Sequence, residues 1–316
     1  MKVKVNVILI LLYVIFFRAF GAEFLFMPNG EIENDSSYKP IRYCIDTIGE
    51  IIYGNSDGLE RPSKDEQYMG PIAIAASPDG FIVIYEFYNT TLSLFDKKCH
   101  LVNKKNVQFS IYDVWIDSLG IYTFDGDNLI VYNKKLKVVD KSKIGLPKDV
   151  RLLHNTSFFW GRYLFVKEFN STVRSSVFAY VYDRVNRKLS RKIAPSECFL
   201  PVMQCETYDF SLINSLFFDR GRYRNFLGQS EKLILGSIIP KNENEPFFYI
   251  VLDKNNGSVY RLAGFAEDAI IPGVRSFNFV DSTKALFLEM KTNSNNEPQS
   301  LLVQKLNILI PDCRRK

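Results

Sequence analysis

A chain of 316 residues, 47% hydrophobic and 24% charged, has ample material for a core and is not a disordered or low-complexity polypeptide. The aromatic content of 14%, led by 26 Phe and 17 Tyr, leans towards strands, whose pleated surfaces suit such side chains. The net charge of +5 does not point to nucleic acid, because Lys2, Lys4 and Arg18 lie in the first 21 residues with no acid among them. The remainder carries only +2 and shows no concentrated basic face along the sequence.

Those first residues have the plan of a signal peptide. Met1-Lys-Val-Lys4 is basic, Val5–Phe17 is almost wholly apolar, and small residues precede a cleavage point after Gly21. The 13-residue apolar run is shorter than the roughly 20 residues that span a bilayer as a helix. The expectation is a cleaved leader at 1–21 and one exported domain at 22–316, extracellular or periplasmic, monomeric and with no membrane span after cleavage. Five cysteines can pair in such a compartment, and the odd count leaves at least one over. Cys198 and Cys205 bracket a short Pro-containing segment and form the most natural local disulfide. No CxxC spacing or neighbouring His suggests zinc.

In chain order, the organising stretch is Pro71–Val139, which is written twice. Pro71–Gly80, Phe81–Tyr85 and Leu92–Val102 are answered by Val114–Gly120, Ile121–Phe124 and Leu129–Val139, with Gly80 set against Gly120 and Phe95-Asp-Lys-Lys98 against Tyr132-Asn-Lys-Lys135. A unit of about 40 residues made of short strands and tight turns is the period of a propeller blade. Upstream, Pro40–Asp46 and Glu50–Tyr53 read as a hairpin. Downstream, strands are expected at Phe158–Trp160, Tyr163–Val166 and Val177–Asp183, then at Leu233–Leu235, Phe247–Asp253 and Val259–Leu262. The last unit has Ser276–Asp281, Ala285–Met290 and Leu301–Asn307. Asn255-Asn-Gly257 is a strong hairpin signal. Long loops are expected at 168–176 and 219–230.

An apolar strand ending in Asp or Asn recurs at Asp46, Asp96, Asn133, Asp183, Asp253 and Asn307. Six such strands, with no segment of helical period, predict an all-β, six-bladed β-propeller, with five blades as the alternative count. Strands from residues 23–53 are expected to join those from 276–310 and close the ring, which removes exposed edges. Closure would bring Cys44 and Cys313 together as a second disulfide candidate.

Ile72–Gly80 with its Pro-Asp-Gly turn, Phe81–Tyr85 and Leu92–Asp96 resemble a blade of the NHL and YVTN type of β-propeller. The resemblance implies a scaffold that serves many functions, binding among them. Some six-bladed propellers that look like gluconolactonases hold a divalent ion in the channel, which implies a lactonase-like hydrolase as the rival function. Its oxygen ligands, suited to Ca²⁺, would come from Glu86, Asp113, Asp117, Asn214, Asn278 or Asp281.

Other catalytic signals are lacking in the sequence. His100 and His154 are the only histidines, and Cys99-His100 as adjacent strand residues point to opposite faces. No nucleophile elbow, phosphate loop or dinucleotide fingerprint occurs. Asp125-Gly-Asp-Asn128 fits a hairpin turn better than a calcium loop. Sequons at Asn34, Asn89, Asn155, Asn170 and Asn256 mark glycosylation candidates. The expected function is that of a non-catalytic binding or scaffold module without cofactor or metal, for a protein or other extracytoplasmic ligand and not for nucleic acid. The expected contact residues are Arg220, Arg222, Tyr223, Arg224 and Phe226, in the loop where the repeat breaks. Arg184–Lys192 reads as a solvated basic hairpin.

Overall fold

The computed structural model describes residues 38–54, 59, 71–86, 89–108, 111–148, 150, 157–170, 175–191, 224–238, 248–265, 271, 277–294 and 298–310. Among them are strands and turns and no helix. The N-terminal strands are β1 (Lys39–Pro40) and β2 (Arg42–Ile52). Blade 1 comprises β3 (Pro71–Ala76), β4 (Ile82–Glu86), β5 (Thr91–Phe95) and β6 (Leu101–Asn106). Blade 2 is built from β7 (Asp113–Ile116), β8 (Ile121–Phe124), β9 (Asn128–Tyr132) and β10 (Val138–Lys143). Blade 3 follows with β11 (Ser157–Trp160), β12 (Tyr163–Asn170), β13 (Ser175–Asp183) and β14 (Lys188–Arg191). Blade 4 has β15 (Arg224–Gln229), β16 (Leu233–Ile238), β17 (Phe248–Asp253) and β18 (Val259–Arg261). Blade 5 contributes β19 (Phe277–Phe279), β20 (Lys284–Thr292) and β21 (Pro298–Leu309) from the C-terminal part of the chain.

The ring therefore has five blades, not six. β2 pairs antiparallel with β21 and is the fourth strand of blade 5. Asp46 and Asn307, counted as the marks of two blades, belong to one: Asn307 Nδ2 donates to Asp46 Oδ2 at 3.0 Å across that pair. The closure expected between N- and C-terminal strands is present, and it has a second component. β1 lies parallel to β18, Lys39 opposite Tyr260, so the N-terminal segment extends blade 4 before it completes blade 5.

Five apolar clusters, one in each seam between blades, form the core. Val83, Tyr85 and Leu94 meet Val114, Ile116 and Tyr132 between blades 1 and 2. Ile82, Ile84 and Phe95 meet Ile51, Leu288 and Val303 between blades 1 and 5. Alternate side chains of one strand thus serve two different seams, and both faces of a blade are covered. That is why β4, β5, β8, β16 and β17 are buried at every position, even where they carry Thr91, Ser93, Thr123 or Ser237. The outermost strands β6 and β10 are half-exposed and carry Lys104, Lys105, Lys141 and Lys143, charges that discourage edge pairing.

The recurring Asp or Asn closes the turn between third and fourth strands. Asp96 Oδ1 accepts from the backbone N–H of Lys98 and His100 at 2.8 and 2.9 Å. Asn133 Oδ1 does the same for Lys135 and Lys137 at 2.9 and 3.1 Å, and Asp183 Oδ1 for Val185 and Asn186 at 3.0 and 3.2 Å. A side-chain oxygen replaces the missing ladder partner, so Asn serves as well as Asp. The turn between first and second strands uses Ser77, Asp117, Ser230 or Asp281 similarly.

The one-to-one alignment of Gly80 with Gly120 does not hold in space. Ile82 lies opposite Phe95 and Ile121 opposite Tyr132, so the turn of blade 2 is one residue shorter. Gly80 has φ +90°, whereas a Cβ on Gly120 would lie 2.7 Å from the Tyr132 carbonyl oxygen.

Candidate functional site

The first strands of all five blades surround one axial cavity. Its lining comes from Ile74 of β3, Asp113 and Trp115 of β7, Phe158 and Phe159 of β11, Leu227–Gln229 of β15 and Phe277–Phe279 of β19. These strands use only one edge for pairing, and side chains must satisfy some of the other. Asp113 does so: buried, it accepts from the backbone N–H of Phe159 at 2.5 Å, tying blade 2 to blade 3. Gln229, also buried, accepts from Lys254 Nζ at 2.9 Å through Oε1. Trp115 Nε1, Gln229 Nε2 and Asn278 Oδ1 are buried with no hydrogen-bond partner among the described residues. Two donors and one acceptor are a set that one water molecule can serve, and the cavity of about 20 Å³ has room for a water.

Two of the six candidate oxygen ligands, Asp113 and Asn278, reach this cavity. Glu86 is buried at the end of β4. Asp117 and Asp281 hold turn backbones: Asp281 Oδ1 accepts from the N–H groups of Thr283 and Lys284, both at 2.8 Å. Asn214 lies outside the described residues. No group of three or more His, Cys, Asp or Glu placed to hold a metal occurs among the described residues. Asp125 Oδ1 accepts from Asp127 N at 2.9 Å and Asn128 N at 2.6 Å, a hairpin turn as expected.

Cys99 is a buried free thiol, and burial, assisted by Asp96, pushes its pKa up to about 11. It is the opposite of an activated nucleophile. His100 is exposed, with Nδ1 3.3 Å from Asp96 Oδ2. Cys44 is an exposed free thiol on β2. Cys198, Cys205, Cys313 and His154 lie outside the described residues, as do Asn34 and Asn155.

Of the expected contact residues, Arg220, Arg222 and Tyr223 lie outside the described residues. Arg224 and Phe226 stand in β15, an inner strand with a register shift between Phe226 and Gly228, rather than in a loop. The loop expected at 168–176 is also shortened, because β12 and β13 continue pairing to Asn170 opposite Ser175. Asn170 ends β12. Asn256 is exposed at the tip of the β17–β18 turn, its Oδ1 accepting from Ser258 N at 2.8 Å. Asn89 is half-buried, and Thr91, two residues on in its sequon, is buried and donates to the Asn89 carbonyl at 3.0 Å.

The turns joining first to second and third to fourth strands share one rim, and ion pairs link them from blade to blade. Lys134 of blade 2 reaches Asp79 of blade 1 at 2.6 Å and lies 4.0 Å over the Phe81 ring. Arg184 of blade 3 reaches Asp117 of blade 2 at 3.2 Å and lies 3.8 Å over Tyr122. The Arg184 side chain is only 7% exposed, so this part of the basic hairpin is packed rather than solvated. No signal within a single unit announces these pairs, because each needs the neighbouring blade.

No family model matches the chain, and no curated protein matches it. Solved β-propellers do. The WD40 domain of Pan2 from Neurospora crassa is 9% identical, with 85% of this chain and 96% of that one covered and a TM-score of 0.47. The PQQ-bound aldose sugar dehydrogenase from Streptomyces coelicolor is 11% identical, over 86% of this chain and 100% of that one, with a TM-score of 0.46. Virginiamycin B lyase from Staphylococcus aureus is 10% identical, over 85% and 100% of the two chains, with a TM-score of 0.39. The chain is similar to these proteins in fold.

Proposed function

We propose that this protein is an exported, non-catalytic β-propeller that works as a binding or scaffold module for a protein or other extracytoplasmic ligand. The axial cavity carries this reading. Ligand pockets enclose about 300–1,000 Å³, whereas this cavity of about 20 Å³, as bounded by the described residues, has room for a water. The reading assigns binding to the outer surfaces of the ring. The signal-peptide plan of residues 1–21 supports export, and the blade plan of Pro71–Leu101 supports a scaffold of the NHL and YVTN type.

Two measurements on protein purified without chelator test the reading together. Elemental analysis is expected to find no stoichiometric divalent ion, and lactone substrates are expected to remain intact. A bound ion accompanied by lactone hydrolysis that EDTA abolishes would overturn it in favour of the lactonase-like enzyme.

A further inference from the structure

The rim carrying the two interblade ion pairs gathers charge that the sequence spreads over three blades. Contacts make it one continuous arc. Lys97 in the blade 1 turn packs on Gly80, where an added Cβ would meet Lys97 Cβ at 2.9 Å. Asp79, beside Gly80, holds Lys134 and so brings the Asn133–Lys137 turn of blade 2 alongside. Asp117, in the next turn of blade 2, holds Arg184 and brings the Asp183–Lys188 turn of blade 3 alongside.

The acids of this arc are committed to turns and ion pairs, whereas five lysines are not. Lys97, Lys98, Lys135, Lys137 and Lys188 are exposed, and none has an ion-pair partner among the described residues. Between them stand two aliphatic tips, Leu119 at 81% exposure and Val185 at 68%. The Arg184–Asp117 pair joins the two turns that carry these tips, since Val185 follows Arg184 and Leu119 is two residues beyond Asp117.

We propose that this arc docks onto an anionic phospholipid surface. The lysines supply the electrostatic contact, and Leu119 and Val185 enter the headgroup layer. The assignment rests on the reading of the ring as a binding module and names the partner of one face. Its composition selects a membrane over a protein. Protein interfaces are depleted of Lys and anchored by aromatic side chains, and this arc has flexible lysines around bare aliphatic tips. An anionic bilayer attracts each nearby lysine through a diffuse field and accepts apolar groups just below the headgroups. Turn tips on a single rim of the ring suit a planar surface better than a groove-bound peptide.

The test is sedimentation of the full chain with two kinds of vesicle, pure phosphatidylcholine and phosphatidylcholine containing one-third phosphatidylserine. Binding is expected only to the anionic vesicles and is expected to fall steeply with salt. Each lysine should contribute about fivefold, so Lys98→Glu, Lys135→Glu and Lys188→Glu together should weaken binding by more than about a hundredfold. These side chains have no ion-pair partner to lose among the described residues, so the variant should melt as the parent does. Leu119→Ser with Val185→Ser should lower the residual binding that remains at high salt. Failure to bind anionic vesicles, equal binding to neutral ones, or full binding by the triple variant would overturn the proposal. Binding to polyglutamate in place of vesicles would overturn the lipid assignment while leaving the binding-module reading standing. A channel ion with lactone hydrolysis is a separate outcome, read in a different experiment.

Discussion

Gly49 tests how the ring is closed. It lies in β2 where the register with β21 shifts, and it faces the outer turn of blade 1. A Cβ placed there would lie 2.6 Å from Cys99 Sγ and 3.0 Å from Cys99 Cβ. Ordinary contacts between such atoms are about 3.5–4.0 Å, so Gly49→Ala overlaps the thiol by roughly 1 Å. Cys99 has little room to yield. It is buried, its φ is +64°, and its N–H donates to the Asp96 carbonyl at 3.0 Å. Overpacking of this kind costs about 1–3 kcal/mol. Cys99→Gly removes both clashing atoms and suits the positive φ, at a loss of roughly 1 kcal/mol of buried side chain. In that background Gly49→Ala should cost under about 0.5 kcal/mol, a coupling of at least about 0.5 kcal/mol and up to about 2.5 kcal/mol. Urea unfolding of the parent, the two single variants and the double variant measures it, given equal m-values. Additivity within about 0.3–0.5 kcal/mol would show that β2 does not press on blade 1 and would refute this account of closure.

Alkali should loosen this seam and the one between blades 4 and 5, where Tyr249 is buried. Burial raises Cys99 to about 11 and Tyr249 to about 12, from ordinary values of 9.0 and 10.0. Above the ordinary value the unfolded chain has shed a proton that the folded chain still holds, so stability is full below about pH 9 and falls as pH rises towards 11. The slope from Cys99 is about 1.4 kcal/mol per pH unit, and Cys99→Ala should flatten it in denaturant titrations; an unchanged slope would count against a buried thiol. In blade 4, Asp253→Ala removes the acceptor of Asn255 N at 2.9 Å and of Asn256 Nδ2 at 3.0 Å and should cost about 2 kcal/mol. Asp253→Asn should cost less than half of that, because Asn133 already fills the equivalent role in blade 2. Equal losses for the two substitutions, measured by urea unfolding, would show that charge rather than the acceptor oxygen closes these turns.

The architecture was legible where a strand and its turn carry their own instructions. Phe95-Asp96 and Tyr132-Asn133 showed the outer hairpin because the acceptor oxygen and the turn it caps lie within four residues of each other. The blade count was misread by the same rule. Asp46 and Asn307 each satisfy it, and nothing local says that the two strands are neighbours. The axial cavity was half legible. Asp113 and Asn278 were singled out as strand-end polar residues, but Asp117 and Asp281 have the same local look and cap turns instead. Trp115 and Gln229 carried no signal, since what sets them apart is a convergence of five inner strands.

Charge shows most sharply how a ring changes what a sequence means. Net charge and charge runs argue against a basic face, because the cations of the arc lie dozens of residues apart along the chain. A propeller brings equivalent positions of successive blades side by side, so one basic residue per unit becomes a surface. The residue after the turn-closing Asp or Asn is Lys97, Lys134, Arg184 and Lys254 in blades 1 to 4. In blades 2 and 3 that residue bridges to the preceding blade and helps to hold the ring together. In those two blades the structural cation brings nearby lysines without an ion-pair partner among the described residues, Lys135, Lys137 and Lys188, to the same rim. The best-preserved part of the repeat therefore does more than specify a scaffold: the turns that link blades 2 and 3 to the blade before them also set the charge of the face they present.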